Sequence, residues 1–353
     1  MVAPIEAART APAPWRGLAT RLARIDRVVL ATAALLAVLA VVVPGQAGES
    51  VRFTIGSLAS IAPFLLLSVA VAAYTKATGL DRQVAAVFGG HPARTITLAA
   101  VFGALSPFCS CGVVPIIAGL LAAGVPVAPV MAFWLASPLM DPEMFILLAA
   151  VFPLPFVLAK ALAAFAMGLG GGFVTHAFAT RPAFAAPLRA GVSCCASSCA
   201  GPATGSAPVA WRFWREPARR ALFGREAWTT TAFLGKWLTL AFLIESLMVA
   251  YVPADAVAGW LGGGAWWAIP AAAIVGVPAY LNGYAAIPLV NGLMGMGMAP
   301  GAGLTFMLAG GVTSIPAAMA VFALVKRPVF ALYLALGLTG SVLAGLLYGL
   351  ALA

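Results

Sequence analysis

Long apolar segments alternate with short polar ones along most of the chain. Runs of about 20 apolar residues, the length that crosses a bilayer as a helix, recur from Val28 to the C-terminus. Proline and glycine interrupt several of these runs, and this predicts helices that are broken inside the apolar layer. The predicted fold is therefore an all-α polytopic membrane protein with discontinuous helices.

The composition agrees with lipid as the main solvent of this chain. Of its 353 residues, 63% are hydrophobic and 8% are charged, whereas soluble domains carry about 25% charged residues. The net charge of +10 comes from arginines grouped near the N-terminus and in one polar segment. Nucleic acid would need a folded basic face instead, so the lipid bilayer is the expected partner and nucleic acid is not.

Basic segments beside apolar spans indicate cytoplasmic regions and divide the chain into five parts. We expect a basic cytoplasmic N-terminus over 1–27, a first transmembrane helix and loop over 28–50, and a first transmembrane repeat over 51–174. A cytoplasmic linker over 175–227, rich in alanine, proline, serine and arginine, is expected to be disordered. A second transmembrane repeat follows over 228–353. The first helix is expected to stay uncleaved, although the GQAG after it also fits a signal-peptide site.

The repeat becomes visible when the chain is shifted by 173 residues. Between Asp81 and Leu139 the shift gives 15 identities without a gap, where chance would give roughly five. The basic residues predict that the two halves run in opposite directions, and inverted repeats with broken helices are typical of secondary transporters. The breaks also recur, because SPFCSCGVVP, SPLMDPE and PLP match PAYLNGYAAIP, GGVTSIP and KRP. Facing breaks predict a site near the bilayer midplane.

Two cysteines in the first break are the leading candidates for substrate binding. Cys109 and Cys111 lie between two prolines, and Ser110 between them is a further candidate for the same site. Thiolates are soft ligands that suit Cu(I), Zn(II) and, by the same softness, trivalent arsenic. The alternative is that both cysteines are small buried hydrophobic residues. In the second half Asn282 and Tyr284 take their places, so the thiols of the expected site lie on one side.

Polar residues near other breaks complete the expected site. Asp141 and Glu143 are acids at membrane depth, where acids are costly and usually functional. The same DPE pattern also fits an N-cap, a first-turn proline and an acid that favours the helix dipole. Asn291 either lines the same cavity or bonds a neighbouring helix. Glu245, within an apolar span, is a candidate for proton coupling.

Three more cysteines, Cys194, Cys195 and Cys199, lie within the linker. They either collect a soft metal together or have no ligand role, and their spacing matches no closed four-ligand zinc site. The last helix carries a ridge of small residues, Gly337 to Gly349, at every fourth position. This ridge fits helix packing within the monomer or a contact in a homodimer.

Three segments resemble a known family: SPFCSCGVVPIIAGLLAAG, SPLMDPEMF and GVPAYLNGYAAIPLVNGLMGMGMAPGAGLTF. They resemble the predicted permeases that include the ArsP-type organoarsenical efflux permeases, and also a related branch of copper and zinc efflux transporters. The resemblance covers about Arg52 to Gly349 and implies an inner-membrane efflux permease with Cys109 and Cys111 as the motif thiols. Many members carry a cysteine where this chain has Asn282, and the linker lacks the histidine-rich tract of a dedicated zinc or copper exporter.

These observations predict a multi-pass secondary transporter of the bacterial inner membrane, without a cofactor and without enzymatic activity. Its expected substrate is a soft, thiol-reactive species, trivalent organoarsenicals first and copper or zinc second. Cys109 and Cys111 would capture it, Asn282, Tyr284, Asn291 and Asp141 would shape the opposite wall, and the proton gradient would drive export. The alternatives are a membrane thiol oxidoreductase that uses the same cysteines and a non-catalytic membrane subunit.

Overall fold

The described residues of the chain are almost entirely helical. The computed structural model describes residues 26–80, 90–106, 110–189, 210–251, 267–279 and 286–352. Within these ranges, extended backbone pairs only at an isolated bridge between Leu188 and Val325. The predicted all-α membrane fold is confirmed.

The first half contains eight described helices. They are α1 Arg27–Val42, α2 Pro44–Thr78, α3 Pro92–Leu105, α4 Ser110–Ala122, α5 Val127–Ala136, α6 Pro142–Val151, α7 Leu154–Ala177 and the short α8 Pro182–Ala185. After a 3₁₀ turn at Phe213–Arg215, the second half contributes α9 Pro217–Tyr251, α10 Ala268–Ala279, α11 Ala286–Gly295, α12 Pro300–Thr313, α13 Ile315–Leu324 and α14 Arg327–Leu352.

Five described segments are long and apolar enough to cross a membrane. They are α2, α7, α9, α14 and the segment Pro300–Leu324, which contains both α12 and α13. The shorter helices are also apolar, but at 10 to 17 residues they fall below the roughly 20 residues that a straight crossing needs. This division into long and short helices is what broken transmembrane segments produce.

The 173-residue shift seen in the sequence also relates the helices. Under this shift α2 and α9 have identical bounds, α6 and α13 have identical bounds, and α7 and α14 begin at equivalent residues. In the first half α3 packs on α5 and α5 on α7, and in the second half α10 packs on α12 and α12 on α14. Gly124 and Gly297, which are equivalent, both have positive φ, 88° and 103°, a conformation that favours glycine.

Contacts between α2 and α9 show their relative direction. Lys76, near the end of α2, forms an ion pair with Glu226 in the first part of α9, with 2.8 Å between Nζ and Oε2. Close by, Nη1 of Arg219 donates to the carbonyl oxygen of Ala77 at 2.9 Å. These equivalent helices therefore run in opposite directions, as an inverted repeat requires. The direction of each half relative to the membrane stays a prediction.

The structure corrects two boundaries that the sequence suggested. Residues 44–50, expected as a loop, are helical, because α2 begins at Pro44 directly after Val43. The ends of the linker, expected to be disordered, contain α8, the 3₁₀ turn and the first residues of α9. Tertiary contacts hold these ends: Tyr74 packs edge to face on Phe213 at 5.6 Å between ring centroids. The middle of the linker, 190–209, lies outside the described residues.

The small residues of α14 pack inside the chain. Gly337, Ser341 and Gly345 are buried. A Cβ on Gly337 would lie 2.8 Å from Cγ1 of Val312, and a Cβ on Gly345 would overlap Thr305. Of the two uses suggested for this ridge, the structure shows packing against α12 within the monomer.

Glycine also permits close approach at equivalent points in the two halves. A Cβ on Gly103 of α3 would lie 2.7 Å from the carbonyl oxygen of Phe133, and a Cβ on Gly276 of α10 would lie 2.8 Å from that of Phe306. Real Cβ atoms essentially never come so close to backbone, so any side chain at either position would push two helices apart.

We therefore expect Gly103→Ala and Gly276→Ala each to lower the free energy of unfolding by about 1–3 kcal/mol, the usual cost of overpacking. Thermal unfolding of the purified protein in detergent measures this. Gly56→Ala is the matched control, because a Cβ at this position in α2 would meet no neighbouring atom. Alanine is more favourable than glycine inside a helix by up to about 1 kcal/mol. Wild-type melting of both variants would contradict the close packing.

Candidate functional site

A cavity of about 450 Å³ lies between the two halves, beside the helix that carries the cysteine motif. The first half contributes walls from α2 and α4, and the second half contributes walls from α9 and α13. On α4 the lining residues include Val114, Pro115 and Ala118. Because α4 begins at Ser110 and includes Cys111, the motif and one wall of the cavity belong to the same helix.

Charged side chains line part of this cavity. Lys76 and Glu226 contribute their ion pair, and Lys236 forms a second pair with Asp26. Lys236 therefore has a carboxylate partner in the folded chain. The other lining residues are mostly apolar, and apolar walls with a few fixed polar groups are typical of small-molecule sites.

Arg189 is the third cation that lines the cavity. Its Nε donates to the carbonyl oxygen of Val325 at 2.9 Å, and its guanidinium carbon lies 4.3 Å from the centre of the Phe322 ring. The amide of Arg189 also donates to the carbonyl oxygen of Leu324 at 3.1 Å. These contacts fix the end of the first half against the connection between α13 and α14.

The break between α5 and α6 contains a fully buried lysine. Lys160, on α7, has 0% exposure and donates a hydrogen bond to the carbonyl oxygen of Leu139. Its Nζ lies 3.5 Å from Sδ of Met144 and 3.8 Å from Sδ of Met140. A carbonyl released where a helix ends needs a donor, and lipid cannot supply one. Lys160 supplies it here.

In the second half a tyrosine donates the equivalent hydrogen bond. Tyr333 follows Lys160 by 173 residues, and Val312 follows Leu139 by 173 residues. The Tyr333 hydroxyl donates to the carbonyl oxygen of Val312. Trp134 stacks on the Tyr333 ring at 4.5 Å between centroids. The two breaks therefore share one capping geometry but differ in charge.

Two serines join the cysteine motif to the break that contains Lys160. Ser106 ends α3, three residues before Cys109, and Ser137 ends α5. Their hydroxyl oxygens lie 2.8 Å apart and share a hydrogen bond. The first break and the second break of this half are thus neighbours in space.

Asp141 occupies the capping position that its sequence context suggested. Its Oδ1 accepts a hydrogen bond from the Met144 amide at 2.7 Å, at the N-terminus of α6. The structure thus shows the capping role, and a role of Asp141 in substrate binding stays a prediction. Glu143, in the first turn of α6, is exposed.

The other predicted residues divide into two groups. Asn291 is exposed on α11, a helix that contacts α6. Ser110 and Cys111 belong to α4. The remaining candidates lie outside the described residues: Cys109, Asn282, Tyr284, Cys194, Cys195 and Cys199. Within the described part of the chain, no three His, Cys, Asp or Glu side chains lie close enough together to hold a metal ion.

Sequence reasoning missed the buried cap formed by Lys160 and Tyr333. Each residue alone looks like an isolated polar side chain in an apolar span. The available signal was the repeat, because a polar residue recurs at the same position of the last helix in both halves. Two equivalent breaks precede these two positions.

The chain is similar to a known protein family over most of its length. Over residues 46–350 it matches the family ArsP_1, which is described as a predicted permease. The chain belongs to this family. No curated protein and no solved structure matches the chain. Together with the long apolar helices, membership of this predicted permease family makes the protein a multi-pass membrane permease.

The capping geometry of this permease predicts the effect of Tyr333→Phe. The change leaves the buried carbonyl of Val312 without its hydroxyl donor, and this should lower the free energy of unfolding by about 1–3 kcal/mol. Thermal unfolding in detergent measures the loss. Tyr348→Phe is the control, because its ring packs on Phe156 at 5.8 Å between centroids and that contact remains. Equal melting temperatures for the two variants would contradict the capping role.

Proposed function

We propose that this permease exports a soft, thiol-reactive species across the bacterial inner membrane, trivalent organoarsenicals first and copper or zinc second. One observation carries the proposal: the helix that includes Cys111 also forms a wall of the cavity between the two halves. A solute in that cavity touches the helix that bears the motif. Thiolates bind such species strongly because both partners are soft.

The proposed site is asymmetric. Cys109 and Cys111 capture the substrate from the first half, while Asn282, Tyr284 and Asn291 offer oxygen and nitrogen groups from the second. Asp141 stands at the break beside the motif. The N-terminus and linker face the cytoplasm, and the linker cysteines Cys194, Cys195 and Cys199 collect the soft species on that side.

Exchange of conformation between the two halves gives alternating access in this proposal. Ala72 and Ala118 line the cavity, and their repeat mates are Glu245 and Asn291. The opposite-facing cavity therefore gains a carboxylate and an amide where this one has two alanines. Glu245 is 3% exposed, and within the described residues its Oε2 has no hydrogen-bond partner. A buried carboxyl oxygen without a partner is costly, which supports a proton-coupling role for Glu245.

Uptake into everted membrane vesicles tests the capture role. Methylarsenite, arsenite, Cu(I) and Zn(II) are compared with and without a proton uncoupler. We expect uncoupler-sensitive accumulation of at least one species, and a loss of about tenfold or more in Cys109→Ser plus Cys111→Ser, because a hydroxyl is a hard ligand. Thr97→Ser, a substitution on an exposed face of α3, is the control and should transport like the wild type when both proteins are expressed at the same level. Undiminished uptake by the double serine variant would refute thiol capture.

The linker is predicted to be cytoplasmic and contributes Arg189 to the cavity wall, so we expect the cavity to open to the cytoplasm. Reagent access tests this orientation. In a chain whose five cysteines are replaced by serine, Ala118→Cys should react with a membrane-impermeant maleimide in everted vesicles, which expose the cytoplasmic face. Ile117→Cys should react much more slowly, because Ile117 has 0% exposure. If Ala118→Cys instead reacts faster in right-side-out vesicles, the cavity faces the outside and the predicted topology is reversed.

A further inference from the structure

The break between α5 and α6 presents the ligand set of a soft cation. The carbonyl oxygen of Leu139 and the thioether sulfurs of Met140 and Met144 converge on one point, which the Lys160 ammonium occupies. The site is dry, since Leu139 and Lys160 have 0% exposure, Met144 has 4% and Met140 has 5%. A monovalent cation is thus already held by these groups, but it is tethered to α7.

Thioether ligands discriminate by softness. They suit Cu⁺, whereas carboxylates, carbonyls and water suit Mg²⁺ and Ca²⁺. We propose that Leu139, Met140 and Met144 form a site for a soft monovalent cation, Cu⁺ or its analogue Ag⁺, and that Lys160 holds this site in the present conformation. The inference deepens the proposed export of soft species, on which it rests, by naming a second set of soft ligands beside the motif thiols.

The second half shows that capping the broken helix does not require these groups. At the equivalent break Tyr333 caps the carbonyl with a neutral hydroxyl. The mates of Met140 and Met144 are Thr313 and Ala317, which carry no sulfur. Thr313 donates its hydroxyl to the carbonyl oxygen of Ala309 at 2.6 Å. Of these two equivalent breaks, both within the described residues, the one between α5 and α6 carries the buried lysine and the thioethers.

The charges around Lys160 allow one cation at this point. Among the described residues no carboxylate lies within 4.0 Å of its Nζ. Helices α5 and α12, which pack against α7, carry no ionisable side chain. The ionisable residues of the other neighbouring helices are Arg94 of α3, Glu143 of α6, and Arg327, Tyr333 and Tyr348 of α14.

Two cations about 4 Å apart in a dry site repel each other strongly, because little solvent screens them. The lysine ammonium must therefore move away when a metal ion enters, and the metal must leave when the ammonium returns. Either the metal ion or the Lys160 ammonium therefore occupies the break, but never both at once.

Binding of Ag⁺ to the purified full-length chain tests this site without transport. The five cysteines are replaced by serine, and titration calorimetry is run in detergent and chloride-free buffer. Lys160→Gln keeps a hydrogen-bond donor for Leu139 but removes the competing charge. We expect it to bind one Ag⁺ about tenfold or more tightly than the parent with Lys160. Adding Met140→Leu and Met144→Leu should abolish the gain.

Met167→Leu in the Lys160→Gln chain is the matched control, because Met167 is a buried methionine on the same helix, packed against Gly340. It should keep the tight site. If Lys160→Gln does not fold, Met140→Leu plus Met144→Leu in the parent chain should still weaken Ag⁺ binding severalfold. No gain in folded Lys160→Gln, or equal binding with and without the two methionines, would overturn the proposal.

The two proposals fail separately. The Ag⁺ titration uses a chain without cysteines and measures no transport, so it stands even if no vesicle accumulates a metalloid. Conversely, vesicle uptake that depends on Cys109 and Cys111 would stand if the methionine pair bound no Ag⁺. Zn²⁺ is the selectivity probe, because proteins bind Zn²⁺ through Cys, His and carboxylate side chains. Zn²⁺ binding as tight as Ag⁺ binding in Lys160→Gln would also overturn the assignment.

Discussion

This structure depends on hydrogen-bond donors for the backbone carbonyl groups that lose their helical partners where apolar helices break. In lipid no water is available to such a group, so the protein itself must supply a donor. Lys160 and Tyr333 do so at equivalent points, the first for Leu139 and the second for Val312. These two caps lie where α5 and α12 end and where α6 and α13 begin.

The two halves agree in backbone and differ in chemistry. Gly103 and Gly276 permit the same close approach, and Gly124 and Gly297 permit the same turn. Helix bounds follow the same shift. Where side chains face the breaks, the match is lost, since Lys160 becomes a tyrosine and the methionines become threonine and alanine. The repeat thus supplies a symmetrical frame that holds an asymmetrical set of ligands.

Much of the frame could be predicted from sequence, because apolar runs, prolines and the repeat are local or periodic signals. The N-cap role of Asp141 followed from the DPE pattern alone. The partners of the charged residues in apolar spans could not be predicted in this way, because those partners lie far along the chain. Lys236 meets Asp26 across 210 residues, and Lys160 meets a carbonyl 21 residues away. The ordered ends of the linker likewise depend on contacts with α2 that no local pattern contains.

The asymmetry of the breaks has a consequence for the proposed transport cycle. If both halves carried soft ligands, a substrate could pass from one set of ligands to the other when the halves move. Here the motif thiols and the methionine pair all belong to the first half, so a bound soft species would stay with that half throughout. Release then requires something to compete for the same ligands. The Lys160 ammonium already contacts the methionine sulfurs, and it is tethered, so it returns at high effective concentration. In the proposed transporter the tethered Lys160 ammonium therefore competes with the bound species for these ligands and clears the site.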